Sequence, residues 1–338
     1  MAALSTTNPT LLDLAKRLDP DGRIAAVVEI LNQTNEILMD MSWVEGNLPT
    51  GHRTTIRSGL PTPTWRKLYG GVQPTKSRSV QVTDNTGMLE AYAEVDKALA
   101  DLNGNTAAFR LSEDRPHIEG MNQEIAQTLF YGNEGTEPEA FTGLSPRFNS
   151  LSAANAENII DAGGTGTDNA SIWLVVWGEN TCHGIVPKGS TAGLKVEDKG
   201  QVTIEDVDGA GGRMEAYRTH YRWDAGLTVR DWRYVARIPN IDKSNLSVVY
   251  ASGAFGGSSA HLPNLMFQAM NQIPSLSFGR PVFYMSRDIL TTLRQQVAAA
   301  VQNASLTTEM VGGIMTTSFH GIPIRRVDVL AADEARVL

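Results

Sequence analysis

Cys182-His183 is the pair whose side chains most readily do chemistry, since a thiol beside an imidazole is the raw material of a cysteine nucleophile. The nucleophile needs its base within hydrogen-bond reach. Adjacent residues on a strand point to opposite faces, and Cys182 to Val186 reads as a strand. A packed cysteine is therefore the expectation. Gly163-Gly164-Thr165-Gly166 shares only its glycine content with a phosphate cradle: it has neither the Gly-Lys-Ser/Thr ending of a P-loop nor three spaced glycines opening a helix. It reads as a flexible loop. Glu205-Asp206-Val207-Asp208-Gly209 resembles the start of a calcium loop but lacks a glutamate at the closing twelfth position, so a solvated turn is expected. The histidines at 52, 117, 183, 220, 261 and 320 form no pair at zinc-ligand spacing, and no serine sits in a Gly-x-Ser-x-Gly elbow. The expectation is no catalytic residue, no metal and no cofactor. A cytosolic hydrolase using Cys182 or converging carboxylates stands as an alternative without positive support.

The elements that would carry these residues divide the chain into unlike parts. Two short amphipathic helices are expected first, with Leu11, Leu12, Leu14 and Leu18 on one and Ile24, Val27, Val28 and Leu31 on the other. Asp19-Pro20-Asp21-Gly22 turns between them. From Trp43 to Gln81, glycines and prolines exclude helix. His52–Ser58 and Thr75–Val82 can pair as a hairpin with its tip at Leu60–Val72, and such a hairpin is marginal in water without a partner surface. Asp84-Asn85-Thr86-Gly87 reads as a turn, and Met88, Tyr92, Val95 and Leu99 as the stripe of a helix. A longer helix spans 106–131, with Ile118, Met121, Ile125 and Leu129 inward, Pro116 as a kink or first turn, and Gly132-Asn133 as a left-handed stop.

The unbroken apolar run Ile172–Trp177 is expected to be a buried strand. Pro187 to Gly212 reads as a glycine-rich, acidic excursion. Strands are then expected over Met214–Trp223 and Leu227–Ile238, the second with Trp232, Tyr234, Ala236 and Ile238 on one face and Arg233 and Arg237 on the other. Pro263 opens a short helix, and Pro281–Met285 is a strand. Ser286 caps a helix carrying Ile289, Leu290, Leu293, Val297 and Val301. Two last strands, Ile314–Phe319 and Ile322–Val329, flank His320-Gly321.

Charge separates the hairpin from everything else. The chain carries −8 overall, yet Gly46 to Thr83 holds Arg53, Arg57, Arg66, Lys67, Lys76 and Arg78 and no acid. That segment is +6 and leaves −14 on the remainder. An acidic chain is poorly suited to a main task of gripping phosphates, whereas a basic projection on an acidic body complements another copy of itself. One cysteine excludes an intramolecular disulfide framework. No run reaches the roughly 18–20 apolar residues of a membrane span, and the N-terminus has no signal-peptide pattern, so synthesis in a cytosol is expected.

The order of arm, basic hairpin, long helix and mixed body resembles the major capsid protein of tailed bacteriophages, the Hong Kong 97-type shell fold in its short-tailed-phage branch. The resemblance is carried by Leu60-Pro-Thr-Pro-Thr-Trp-Arg-Lys-Leu-Tyr69, Trp177-Gly-Glu-Asn-Thr-Cys-His-Gly-Ile-Val-Pro-Lys-Gly189 and Asp231-Trp-Arg-Tyr-Val-Ala-Arg237. Arg280-Pro-Val-Phe-Tyr-Met-Ser-Arg287 and Gly321-Ile-Pro-Ile324 extend it. It implies an α+β fold with an N-terminal arm over 1–42, an extended β-hairpin loop over 43–84, and interleaved peripheral and axial domains over 85–338 with a spine helix at about 106–131. It further implies pentamers and hexamers closed into an icosahedral head around double-stranded DNA, with scaffolding, portal and decoration proteins as further partners and no membrane. The expected location is the virion, after assembly in the cytoplasm of a host bacterium. Arg53, Arg57, Trp65, Arg66, Lys67, Lys76 and Arg78 on the extended loop are then the expected inter-subunit contacts. No long charged helical segment is evident ahead of the arm in this sequence, so a separate scaffolding protein is left open as an expectation. Another virion component, a tail or decoration protein, is the alternative within the same class.

Overall fold

The computed structural model describes residues 35–102, 106–205, 211–246, 260–299, 306–311, 314–330 and 333–338. Both expected arm helices, Val301 and residues 206–210 of the acidic stretch lie outside them. In chain order the elements are α1 (Ile37–Asp40), β1 (Trp43–Glu45), β2 (Gly51–Gly59), β3 (Arg78–Asp96), α2 (Lys97–Asp101) and α3 (Thr106–Tyr131). Next come β4 (Asn169–Trp177), β5 (Cys182–Val186), β6 (Lys195–Glu205), β7 (Arg213–Val229), β8 (Val235–Asp242) and α4 (Leu262–Gln272). The chain finishes with β9 (Arg280–Met285), α5 (Arg287–Ala299), β10 (Leu306–Val311), β11 (Ile314–Phe319) and β12 (Ile322–Arg326). Two compact units result. One gathers Met88–Ile125 with Gly193–Asp224, and the other gathers Thr34–Gly87, Ala126–Ala192 and Ala225–Leu338.

The larger unit is built on β4. Every residue of that strand is buried, because both of its faces are covered. Ile172, Leu174 and Val176 share a core with Ala236 and Ile238 of β8, Phe283 and Met285 of β9, and Leu262, Met266, Ile289 and Leu293 of α4 and α5. On the opposite face, Trp173 meets Phe130 of α3 at 6.2 Å and Phe148 at 6.0 Å between ring centroids. Antiparallel β8 and β9 flank β4, β12 runs parallel to β9, and β11 and β10 continue outward. The β11–β12 turn places His320 at φ 48° and Gly321 at φ 80°, the paired positive values that a two-residue hairpin turn favours.

A buried ion pair fastens the C-terminal residues to this sheet. Arg237 is 2% exposed and Glu334 8%. The guanidinium donates to Glu334 Oε2 at 2.8 Å, to Phe148 O at 2.7 Å and to Ser171 Oγ at 3.1 Å, and it lies 5.0 Å from the Trp173 ring centroid. Glu334 also accepts from Tyr131 of α3 at 2.6 Å and from the Ser171 hydroxyl. Further along, Asn240, in the left-handed region at φ 59°, bonds both backbone groups of Val337 at 2.8 and 2.9 Å.

Strand β3 corrects two expectations. Residues 84–87 do not turn and 88–96 are not helical; β3 runs straight through both. Asp84, Asn85 and Thr86 spend their polar side chains on distant partners instead of on a local turn: Asp84 pairs with Arg147 at 2.8 Å, Asn85 donates to Glu134 at 2.5 Å, and Thr86 donates to Thr50 O at 3.1 Å. Beyond Gly87 the period is two. Leu89, Ala91, Ala93 and Val95 pack inward against the Tyr221 and Phe109 clusters, while Met88 and Tyr92, which would head a helical stripe, are exposed. The outer face bears a cross-strand ladder with neighbouring β7: Glu94 meets Arg218 at 2.6 Å, Glu90 meets His220 at 3.2 Å, and Tyr92 stacks on His220 at 4.4 Å. Only at Asp96, which caps Ala98, does a short helix begin.

Three smaller differences follow similar logic. The acidic excursion contains β6, which pairs with β7 from Lys195↔Arg222 to Glu205↔Arg213, with a bulge at Gly200. It escapes notice in sequence because it is largely exposed and has little apolar alternation. The expected break at 224–226 is absent from continuous β7; the break falls at Trp232–Tyr234, a single 3₁₀ turn that Asp231 caps. Arg237 does oppose Ala236 and Ile238, but into a second buried layer. The long helix spans 106–131 as expected, with Pro116 inside it; Met121, Ile125 and Leu129 are buried as expected, but Ile118 is exposed. Gly132 and Asn133 follow it without the expected left-handed conformation; glycine is needed at 132 for close approach, since a Cβ there would lie 2.5 Å from Phe141 O.

Replacing Arg237 with Met should strand the Glu334 carboxylate and cost about 3–5 kcal/mol. Arg237→Met with Glu334→Leu should restore much of that loss. Urea denaturation of the single and double variants measures both, and equal losses would show that the ion pair is not what fastens the C-terminal residues.

Candidate interaction surface

The residues that could do chemistry are not arranged for it. Cys182 is fully buried on β5, and burial pushes its thiol up, away from the reactive thiolate. His183 is buried on the neighbouring position. Its ring lies 5.8 Å from that of His52 on β2 in an edge-to-face arrangement. Burial, reinforced by His52, pushes the His183 imidazole below its ordinary value; burial does the same to His52, against the opposing pull of Asp84. The Gly163–Gly166 stretch is a loop, as expected, and it is laid along β8. Gly164 donates to Asn240 O at 2.9 Å, and a Cβ at Gly164 would fall 2.3 Å from that oxygen. Among the described residues, no three metal-ligating side chains converge.

The exposed feature is the hairpin. Strands β2 and β3 pair antiparallel from Gly51↔Asn85 to Gly59↔Arg78, so the second strand starts at Arg78 and not at the expected Thr75. Beyond Gly59 the ladder stops. Residues 60–77 extend without strand pairing, fixed by Pro61, Pro63 and Pro74 and by one turn in which Gly70 N–H donates to Lys67 O at 3.0 Å. Tyr69 takes φ 62° in that turn. Trp65 and Tyr69 are fully exposed, and Leu60, Leu68 and Val72 are exposed beside them.

Of the expected contact residues, the structure gathers Trp65, Arg66 and Lys67 at the tip and sets Arg57, Lys76 and Arg78 along the hairpin. All are exposed, and no ion pair holds these cations among the described residues. Arg53 differs: its guanidinium lies across the hairpin and donates to Thr83 Oγ1 at 3.1 Å. Sequence reasoning omitted Leu60, Leu68 and Tyr69. Their signal is available as apolar residues at a proline- and glycine-rich tip.

A family model, major capsid protein GP7, matches residues 19–338. The chain belongs to this family of major capsid proteins. Among solved structures, a chain of the near-atomic cryo-EM structure of bacteriophage Epsilon15 is 40% identical to this capsid protein, with 100% of both chains covered and a TM-score of 0.77. The capsid of a native GTA particle matches at 10% identity over 69% of this chain and 99% of that one, TM-score 0.45. The bacteriophage JBD30 capsid matches at 8% identity over 89% and 93%, TM-score 0.46. Those two likenesses are too low to carry an argument. No curated protein matches the chain. The capsid protein's fold is the α+β Hong Kong 97-type fold expected from its sequence.

The histidine pair sets a pH dependence. Because His183 and His52 titrate lower in the folded chain than in the unfolded one, the unfolded chain binds more protons as pH falls below about 6.5. Stability present above that pH should therefore be lost from about pH 6.5 downward. Thermal melts across that range should show a shallower loss for His183→Asn than for the parent chain. Parallel slopes would remove the buried ring as the cause. In the same folded chain at pH 8, Cys182 should resist a thiol reagent until denaturant is added.

Proposed function

We propose that this major capsid protein builds a closed icosahedral head from pentamers and hexamers, and that the hairpin is the part of each copy that seats on the next. The exposed hairpin tip is the observation that carries this reading. Five large apolar side chains stand in water on a single projection, and burying each against a neighbour would return roughly 1.5–3 kcal/mol. A tip carrying Trp, Tyr and Arg has the composition of interface anchors. The +6 charge of Gly46 to Thr83 against −14 on the rest of the chain supports another copy as the acceptor surface, and closed symmetry supplies that acceptor for every copy.

In this reading residues 1–42 form the arm, 43–84 the extended loop, and 85–338 the interleaved peripheral and axial domains. The head encloses double-stranded DNA through non-specific contacts, assembles in the cytoplasm of a host bacterium and meets scaffolding, portal and decoration proteins there. The subunit's role is structural rather than catalytic, in keeping with a buried Cys182 and a tightly packed Gly163–Gly166 segment.

Negative-stain electron microscopy with sedimentation of the full chain, alone and with a co-expressed scaffolding protein, tests the assembly. Shells, polyheads or hexameric sheets are the expected products; a monomer under both conditions would sink the proposal. Charge reversal at Arg57, Arg66 and Lys67 should lower assembly more at low salt than at high salt. Trp65→Ala should lower it at every salt concentration. Unchanged assembly in both variants would show that the hairpin is not the contact.

A further inference from the structure

We propose that Asn47 is a positioning residue that aims the hairpin toward the neighbouring copy, a role that rests on the reading of the hairpin as the inter-copy contact. The chain leaves β1 at Gly46, whose N–H donates to Val186 O at 2.8 Å, and enters β2 at Gly51. Both ends of this short connection are packed against backbone. A Cβ at Gly46 would lie 2.5 Å from Gly51 O, and one at Gly51 would lie 2.2 Å from Asp84 O. Backbone bonds between Leu48 and Gly51 hold the turn itself.

Asn47 reaches past that turn onto the hairpin. Its Oδ1 accepts from Arg53 N at 2.8 Å and its Nδ2 donates to Arg53 O at 2.8 Å. The Asn47 N–H donates to His52 Nδ1 at 3.3 Å. An edge strand offers N–H and C=O groups that a further strand would normally take. Here one side-chain amide takes both at Arg53, as a single rung of such a strand would. The rung ties the hairpin's third residue to the segment that β5 anchors, and so opposes swinging of β2 about residues 47–50. Being exposed, it contributes little to the core. Its effect falls on direction: a projecting arm that must find a neighbour binds faster and tighter when its orientation is set beforehand.

The test uses the full chain carrying Asn47→Ala or Asn47→Asp; the aspartate keeps the acceptor for Arg53 N–H and loses the donor to Arg53 O. Hydrogen exchange at the Arg53 amide should accelerate roughly 10- to 30-fold in Asn47→Ala and less in Asn47→Asp, with the melting temperature unchanged. Assembly followed by light scattering and microscopy should slow several-fold in the same order. Unchanged exchange would overturn the proposal, as would faster exchange with undiminished assembly. A large fall in melting temperature would also overturn it, by making Asn47 a general stability residue. Failure of the unsubstituted chain to assemble, with or without scaffolding protein, would instead overturn the shell reading on which this one rests.

Discussion

The Arg237–Glu334 pair is the constraint on which the larger unit depends. A buried guanidinium and carboxylate are each costly to take from water, and the pair is tolerated only because every side of it is occupied. Phe148 O, the Ser171 hydroxyl, the Tyr131 hydroxyl and the face of Trp173 complete the shell. Those partners come from β4, β8, the end of α3, the 145–148 turn and the C-terminal residues. Elements that are far apart in sequence must therefore arrive together, since leaving one out exposes a charge without a partner. That requirement makes the arrangement specific in a way that apolar burial on the α4–α5 face of β4 does not.

Polar side chains play the same part at the root of the hairpin. Asp84, Asn85 and Thr86 are residues that elsewhere make turns, because their short side chains compete for the local backbone. Here Arg147, Glu134 and Thr50 hold those side chains, and β3 continues extended. Tertiary contacts thus override the local turn signal at 84–87. The sequence signal was real, but the competition was decided by Arg147 and Glu134, residues about 50 to 60 positions away.

Legibility follows from whether local and tertiary preferences agree. Ile172–Trp177 and the His320-Gly321 turn are readable because apolar pattern, length and turn chemistry give one answer, and the 106–131 helix is readable in its extent, though Ile118 is exposed. Met88, Tyr92, Val95 and Leu99 made a plausible helical stripe, yet Leu89, Ala91, Ala93 and Val95 made an equally plausible strand face. Only the Glu90, Tyr92 and Glu94 ladder with Arg218 and His220 decides between them, and that ladder requires β7 beside β3. Strand β6 was hidden for a related reason: cross-strand pairing supports it, not an apolar alternation. On the candidate surface the basic residues and Trp65 were readable from charge and composition. The Asn47 bond to Arg53 was not, because it depends on the path of the turn between them.

The hairpin combines a stiff root with an unfinished tip, and the two properties require each other. A tip that exposes Trp65, Leu68 and Tyr69 would aggregate freely if its orientation were loose, because any apolar surface could then capture it. Arg66 and Lys67 stand among these side chains and repel the same tip on another copy, so tip-to-tip association is disfavoured. Association with an acidic surface is not. Charge thus rejects one wrong partner, and the ladder from Gly51↔Asn85 to Gly59↔Arg78 limits the directions from which another can be reached. The apolar residues then supply the binding energy, while the root and the cations restrict where that energy can be realised.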